Sequence, residues 1–130
     1  MDKPKRTTDV VSRDEPPFGA PWVVVLAVIA GPDHNAVFRI TAKETMIGAS
    51  ESEADFVLND PQISRRHLLI RVNAGLFSLI DQNSSNGTVL NSNPVGPGKP
   101  VRLKNLDEIQ LGRTRLLFLA CKYHEGQAPG

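Results

Sequence analysis

The sequence runs to 130 residues, 40% hydrophobic and 22% charged, with a formal net charge of +1. That length fits one domain with a real core and excludes two of ordinary size. The near-neutral balance excludes a general electrostatic footprint for nucleic acid or membrane, so any anion site must be local.

Residues 1–20 mix charges of both signs with prolines and few large apolar side chains. Such a segment cannot bury enough surface to offset its ordering entropy, and a flexible N-terminal tail is expected. It carries no h-region, so no signal peptide is expected. The longest apolar run, 22–30, is about half of the roughly 18 to 20 residues that a membrane helix needs. The chain therefore reads as cytoplasmic.

The run 22–30 holds Val23, Val24, Val25 and Ile29 and ends at Gly31-Pro32-Asp33, which predicts a buried strand followed by a turn. Further short strands are predicted at 36–41, 45–47, 56–58, 67–72, 76–81, 88–90, 101–103, 108–111 and 115–121. In 68–72 the alternation sends Leu68, Ile70 and Val72 inward and Leu69 and Arg71 outward, and Asn73-Ala74-Gly75 supplies the hairpin turn before Leu76. Cys121 follows the apolar run 116–120 and reads as a half-buried structural thiol. As the one cysteine it excludes an intramolecular disulfide and fits a reducing compartment. Residues 124–130 form a second expected tail, which leaves a folded domain at 21–123.

Turn signals recur about every 8 to 12 residues, and no stretch sustains a helical period with caps. The expected fold is all-β, two packed antiparallel sheets with little helix.

Two loops carry chemistry. The first is Asn59-Asp60-Pro61-Gln62-Ile63-Ser64-Arg65-Arg66-His67; the second is Asp81-Gln82-Asn83-Ser84-Ser85-Asn86-Gly87-Thr88. Sandwich loops cluster at the sandwich ends, so both can converge on one surface. Ser64 offers a hydroxyl donor and Arg65 a forked cation, the group types suited to phosphate. The Asn86 amide suits the backbone of an extended ligand, and Asn86-Gly87 is a strong turn signal with Gly87 free to take positive φ. Ser64 and His67 do not read as a nucleophile–base pair, because no nucleophile elbow and no third orienting group accompany them. No catalytic residue, metal site or cofactor is expected.

The ordered string Ile47-Gly48, Phe56-Val57-Leu58, Ser64-Arg65-Arg66-His67 and Asp81 with Ser84-Ser85-Asn86-Gly87-Thr88 resembles the forkhead-associated (FHA) family. It continues through Asn91, Leu103, Asp107, Ile109, Leu111 and Gly112, so the resemblance covers residues 22–122. It implies a sandwich of about eleven strands whose loops bind phosphothreonine in a partner protein, a kinase or a kinase substrate. By position, Ser64 would hydrogen-bond the phosphate and Arg65 would add charge. Asn86 would hold the peptide main chain with Ser85 beside it, and Gln62 would sense a residue further along the peptide. Gly48, His67 and Gly87 would support the binding loops. Thr7 or Thr8, if phosphorylated, would make the chain's own N-terminal tail a further ligand.

The sequence departs from the family at Ala49, where an arginine that binds phosphate usually follows the glycine. The same loop carries Glu51, Glu53 and Asp55, which would repel a dianion if they faced it. Arg65 or Arg66 could compensate, although a strand start places only one of them on the binding face, and Ser50 could add a neutral hydrogen bond. Leu106 stands where the family has glycine, with Asn105 expected to take the turn conformation instead. Two readings follow: a phosphothreonine-dependent binding module, or an FHA-fold scaffold that binds its partner independently of phosphate.

Overall fold

The computed structural model describes residues 22–122; the two expected tails, and Thr7 and Thr8 with them, lie outside the described residues. Eleven strands and no helix make up this part. One sheet has six strands in the order β2-β1-β11-β10-β7-β8, formed by β1 (Trp22–Ala30), β2 (Val37–Arg39), β7 (Thr88–Leu90), β8 (Asn93–Pro94), β10 (Glu108–Leu111) and β11 (Thr114–Lys122). The other has five in the order β4-β3-β5-β6-β9, formed by β3 (Glu44–Gly48), β4 (Phe56–Val57), β5 (Leu68–Asn73), β6 (Leu76–Asp81) and β9 (Val101–Leu103). The β3–β4 pair runs parallel, a local departure from the antiparallel expectation.

The core lies between the sheets and follows the two-residue period of the strands. From β1 and β11 come Val24, Leu26 and Val28 opposite Ala120, Phe118 and Leu116, all buried. The facing sheet supplies Ile47, Leu68, Ile70, Val72, Phe77 and Leu79. Phe77 bridges the layers, its ring 5.5 Å from that of Phe118 and 5.2 Å from that of Trp22, both edge-on. In β5, Leu68, Ile70 and Val72 are buried while Leu69 and Arg71 are half-exposed, the expected alternation. The following hairpin turns through Ala74 and Gly75, both at positive φ, the pairing a two-residue type I′ turn requires.

Three expectations change. Cys121 is exposed, because Ala120 takes the inward position and the strand period turns the next side chain to solvent. The turn conformation falls on Leu106 itself, at φ 78. Asn105 is committed elsewhere, its Oδ1 accepting from the Ala120 amide at 2.9 Å. Finally, β8 was not foreseen: both of its residues are exposed, and it exists only through its pairing with β7.

Candidate functional site

Three loops meet at one end of the sandwich: the β3–β4 loop after Gly48, the β4–β5 loop before Leu68 and the β6–β7 loop after Asp81. The first two are stitched by backbone hydrogen bonds, from the Ala49 amide to the Ser64 carbonyl at 3.0 Å and from the Ser50 amide to the Arg65 carbonyl at 3.4 Å. Gly48 permits that approach. A Cβ there would lie 2.0 Å from the Arg65 carbonyl oxygen, where no side chain fits.

His67 joins the second loop to the third. Its ring is fully buried, Nδ1 accepting from the Ser64 amide at 3.0 Å and Nε2 lying 2.9 Å from the Gly87 carbonyl. An amide can only donate and a carbonyl only accept, so these contacts assign the neutral ring with its proton on Nε2. Within the third loop the buried Asp81 carboxylate accepts from the Ser84 amide and hydroxyl and from the Thr88 hydroxyl. Burial opposes its charged form, yet these hydrogen bonds outweigh that cost and hold its pKa below the usual carboxylate value. Gly87 stands at φ 84 with open space around its Cβ position, so the backbone conformation alone calls for glycine.

On this frame the ligand-type groups gather. The Ser64 hydroxyl accepts from the Ser85 amide at 3.0 Å, which leaves its own proton free to donate. The Asn86 amide nitrogen donates to the Gln62 carbonyl at 2.9 Å. Ser85, Asn86, Gln62 and Arg65 are exposed and Ser64 is half-exposed. The Ser50 hydroxyl is engaged within its own loop by the Ser52 hydroxyl and the Glu53 amide. Ala49 packs half-buried against the core. Arg65 turns toward the loop that follows Ala49 and donates from Nε and Nη2 to Glu53. Arg66 is exposed and makes no ion pair among the described residues.

Asp60 went unassigned in the sequence and proves central to the loop frame. It is buried, with Oδ1 accepting from the Gln62 amide at 3.0 Å and Oδ2 from the Arg113 amide at 2.7 Å and the Thr114 hydroxyl at 2.9 Å. It thereby fastens the β4–β5 loop to the β10–β11 turn. Burial pushes its pKa up, but the hydrogen bonds and the Arg113 charge prevail and lower it. The only signal in the sequence was Asp60-Pro61 as a turn opener. No group of His, Cys, Asp and Glu among the described residues is arranged to hold a metal ion, and no helix there is long and apolar enough to cross a membrane.

Comparison with known proteins agrees with this architecture. The FHA domain family model matches residues 45–112. The oxoglutarate dehydrogenase inhibitor of Corynebacterium efficiens is 40% identical over 96 residues, covering 74% of this chain and 65% of that protein. The glycogen accumulation regulator GarA of Mycolicibacterium smegmatis is 37% identical over 95 residues, covering 73% of this chain and 58% of that protein. The chain thus spans 58% to 65% of the length of these relatives. A solved FHA domain, studied for phosphothreonine-dependent FHA domain interactions, superposes with a TM-score of 0.65 at 30% identity, covering 78% of this chain and 97% of that one.

Proposed function

The chain belongs to the FHA family, and on that premise we propose that its loop end binds phosphothreonine in a partner protein as a non-catalytic interaction module. The observation that carries this reading is the joining of the loops at their polar tips, Ser64 to Ser85 and Gln62 to Asn86. The Ser64 hydroxyl donates to the phosphate and Arg65 supplies charge. Asn86 holds the peptide main chain with Ser85 beside it, and Gln62 reads a side chain further along. Gly48, His67 and Gly87 keep the loops in place.

Hydrolytic chemistry finds no support here. His67 meets the backbone amide of Ser64 and not its hydroxyl, and both ring nitrogens are occupied. It cannot take the serine proton. The similar inhibitor and regulator proteins support a regulatory role. The phosphorylated partner we propose is a kinase or kinase substrate, met in the cytoplasm. The chain's own Thr7 or Thr8, once phosphorylated, is a second ligand of the same chemistry, favoured by high effective concentration.

The test is titration with a degenerate phosphothreonine peptide library and its unphosphorylated twin. Binding of the phosphorylated library alone is expected, and equal binding of both would remove the reading. That outcome would favour a scaffold independent of phosphate, for which Ala49 and the engagement of Arg65 by Glu53 speak.

A further inference from the structure

Arg65 is the cation on which phosphate recognition rests in the proposed function, and it already has an anionic partner. Its Nε and Nη2 donate to Glu53 Oε2 at 3.1 and 2.5 Å. These two nitrogens form the edge of a guanidinium that grips a carboxylate or a phosphate in the same way. A ligand phosphate approaching that edge meets a carboxylate in its place.

Of the two side chains, Glu53 is the more fixed, being 33% exposed against 72% for Arg65. Its amide donates to the Ser50 hydroxyl at 3.2 Å, and the Ala54 amide closes the turn onto the Ser50 carbonyl at 2.9 Å. The loop that presents Glu53 is in turn stitched to the loop that presents Arg65. Ala49 offers no second arginine to take over the phosphate.

We infer that Glu53 is a specificity-determining residue of the phosphothreonine site, an internal competitor that the ligand phosphate displaces from Arg65. The inference rests on the phosphothreonine reading. An exposed ion pair is weak, so Glu53 lowers affinity without closing the site. Once displaced, its carboxylate stands beside a dianion, which is unfavourable unless the ligand brings a positive charge. The ligand class that fits is a phosphothreonine segment flanked by basic side chains: phosphate takes Arg65, and the ligand cation takes Glu53.

The experiment measures affinity at low ionic strength for two degenerate phosphothreonine libraries, flanked on both sides by alanine or by lysine, with unphosphorylated twins. Wild type, Glu53→Gln, Arg65→Ala and the double variant are compared. Glu53→Gln is expected to bind the alanine-flanked library about two- to fivefold tighter than wild type, the range of an exposed ion pair. Its preference for lysine flanks is expected to narrow, and the tightening is expected to vanish without Arg65. Glu53→Gln no tighter than wild type overturns the inference, as does an undiminished lysine preference or a tightening that persists without Arg65. If wild type binds phosphopeptides and one of these results follows, the phosphothreonine reading stands alone. If no variant distinguishes phosphorylated from unphosphorylated libraries, both fall together.

Discussion

The ring of His67 reaches the Gly87 carbonyl at 2.9 Å, and this side chain holds the β6–β7 loop to the start of β5. Replacement by alanine leaves a buried hole and strips partners from the Gly87 carbonyl and the Ser64 amide. Together these are expected to cost about 2 to 4 kcal/mol of stability. Chemical denaturation measures the loss, and hydrogen exchange at Ser64 should quicken beyond the global change because its acceptor is gone.

Ser64 behaves differently because its hydroxyl sits at the surface of the frame. In Ser64→Ala the Ser85 amide loses an acceptor at a half-exposed position, where water can replace it, so stability should change by less than about 1 kcal/mol. Phosphopeptide affinity should fall much further, by about 10- to 100-fold, the worth of a hydrogen bond to a charged group. Calorimetric titration beside thermal melts separates the two effects. A stable variant that keeps full affinity would remove Ser64 from the phosphate contact.

What the sequence disclosed, and what it hid, divides by range. Strand β5 was legible because one of its faces is buried and the other wet, so Leu68, Ile70 and Val72 alternate cleanly with Leu69 and Arg71. Strand β1 showed only a continuous apolar run, since Val23 and Val25 on its outer side are as apolar as Val24 and Leu26 within. The loop residues of the candidate site could be read as group types and as an ordered motif. Their pairings could not: Arg65 meets Glu53 twelve residues away, and Asp60 meets Thr114 fifty-four residues away. Contacts of that reach are set by packing of the sheets, and no local pattern encodes them. Cys121 shows the converse error, where one step of the strand period moved a side chain from the inner to the outer face.

Leu106 occupies a backbone conformation suited to glycine. The Asp107 amide closes onto the Lys104 carbonyl at 3.1 Å, and Leu106 at the third position of that turn has φ 78, the type II pattern. A γ-branched side chain there is strained by roughly 1 to 2 kcal/mol, and being 62% exposed it gains little from burial. Leu106→Gly removes the strain but adds freedom to the unfolded chain, worth about 0.5 to 1 kcal/mol in the other direction. A net gain of up to about 1.5 kcal/mol is expected from those two magnitudes, seen as a raised Tm. A lowered Tm would show that the turn holds leucine without strain.

Asp60 and Asp81 make the fold sensitive to acid. Both carboxylates have folded pKa values below the ordinary 3.8, so the folded state binds their protons less readily than the unfolded chain does. Their contribution is therefore fully present well above that value and drains away as pH falls from about 5 through 3.8 toward the lowered folded values. Asp60→Asn tests the frame contact of longer range, from the β4–β5 loop to the β10–β11 turn. Its oxygen can serve either the Gln62 amide or the Arg113 and Thr114 pair, while its NH2 group meets a donor on the other side. A loss of about 2 to 4 kcal/mol at neutral pH is expected from a misplaced donor and broken charge-assisted bonds. The pH dependence below 5 should become shallower than in wild type, because one of the two groups no longer titrates. Urea denaturation from pH 7 to pH 3 measures both. An unchanged acid slope would show that Asp60 does not gain its charge stabilisation from this network.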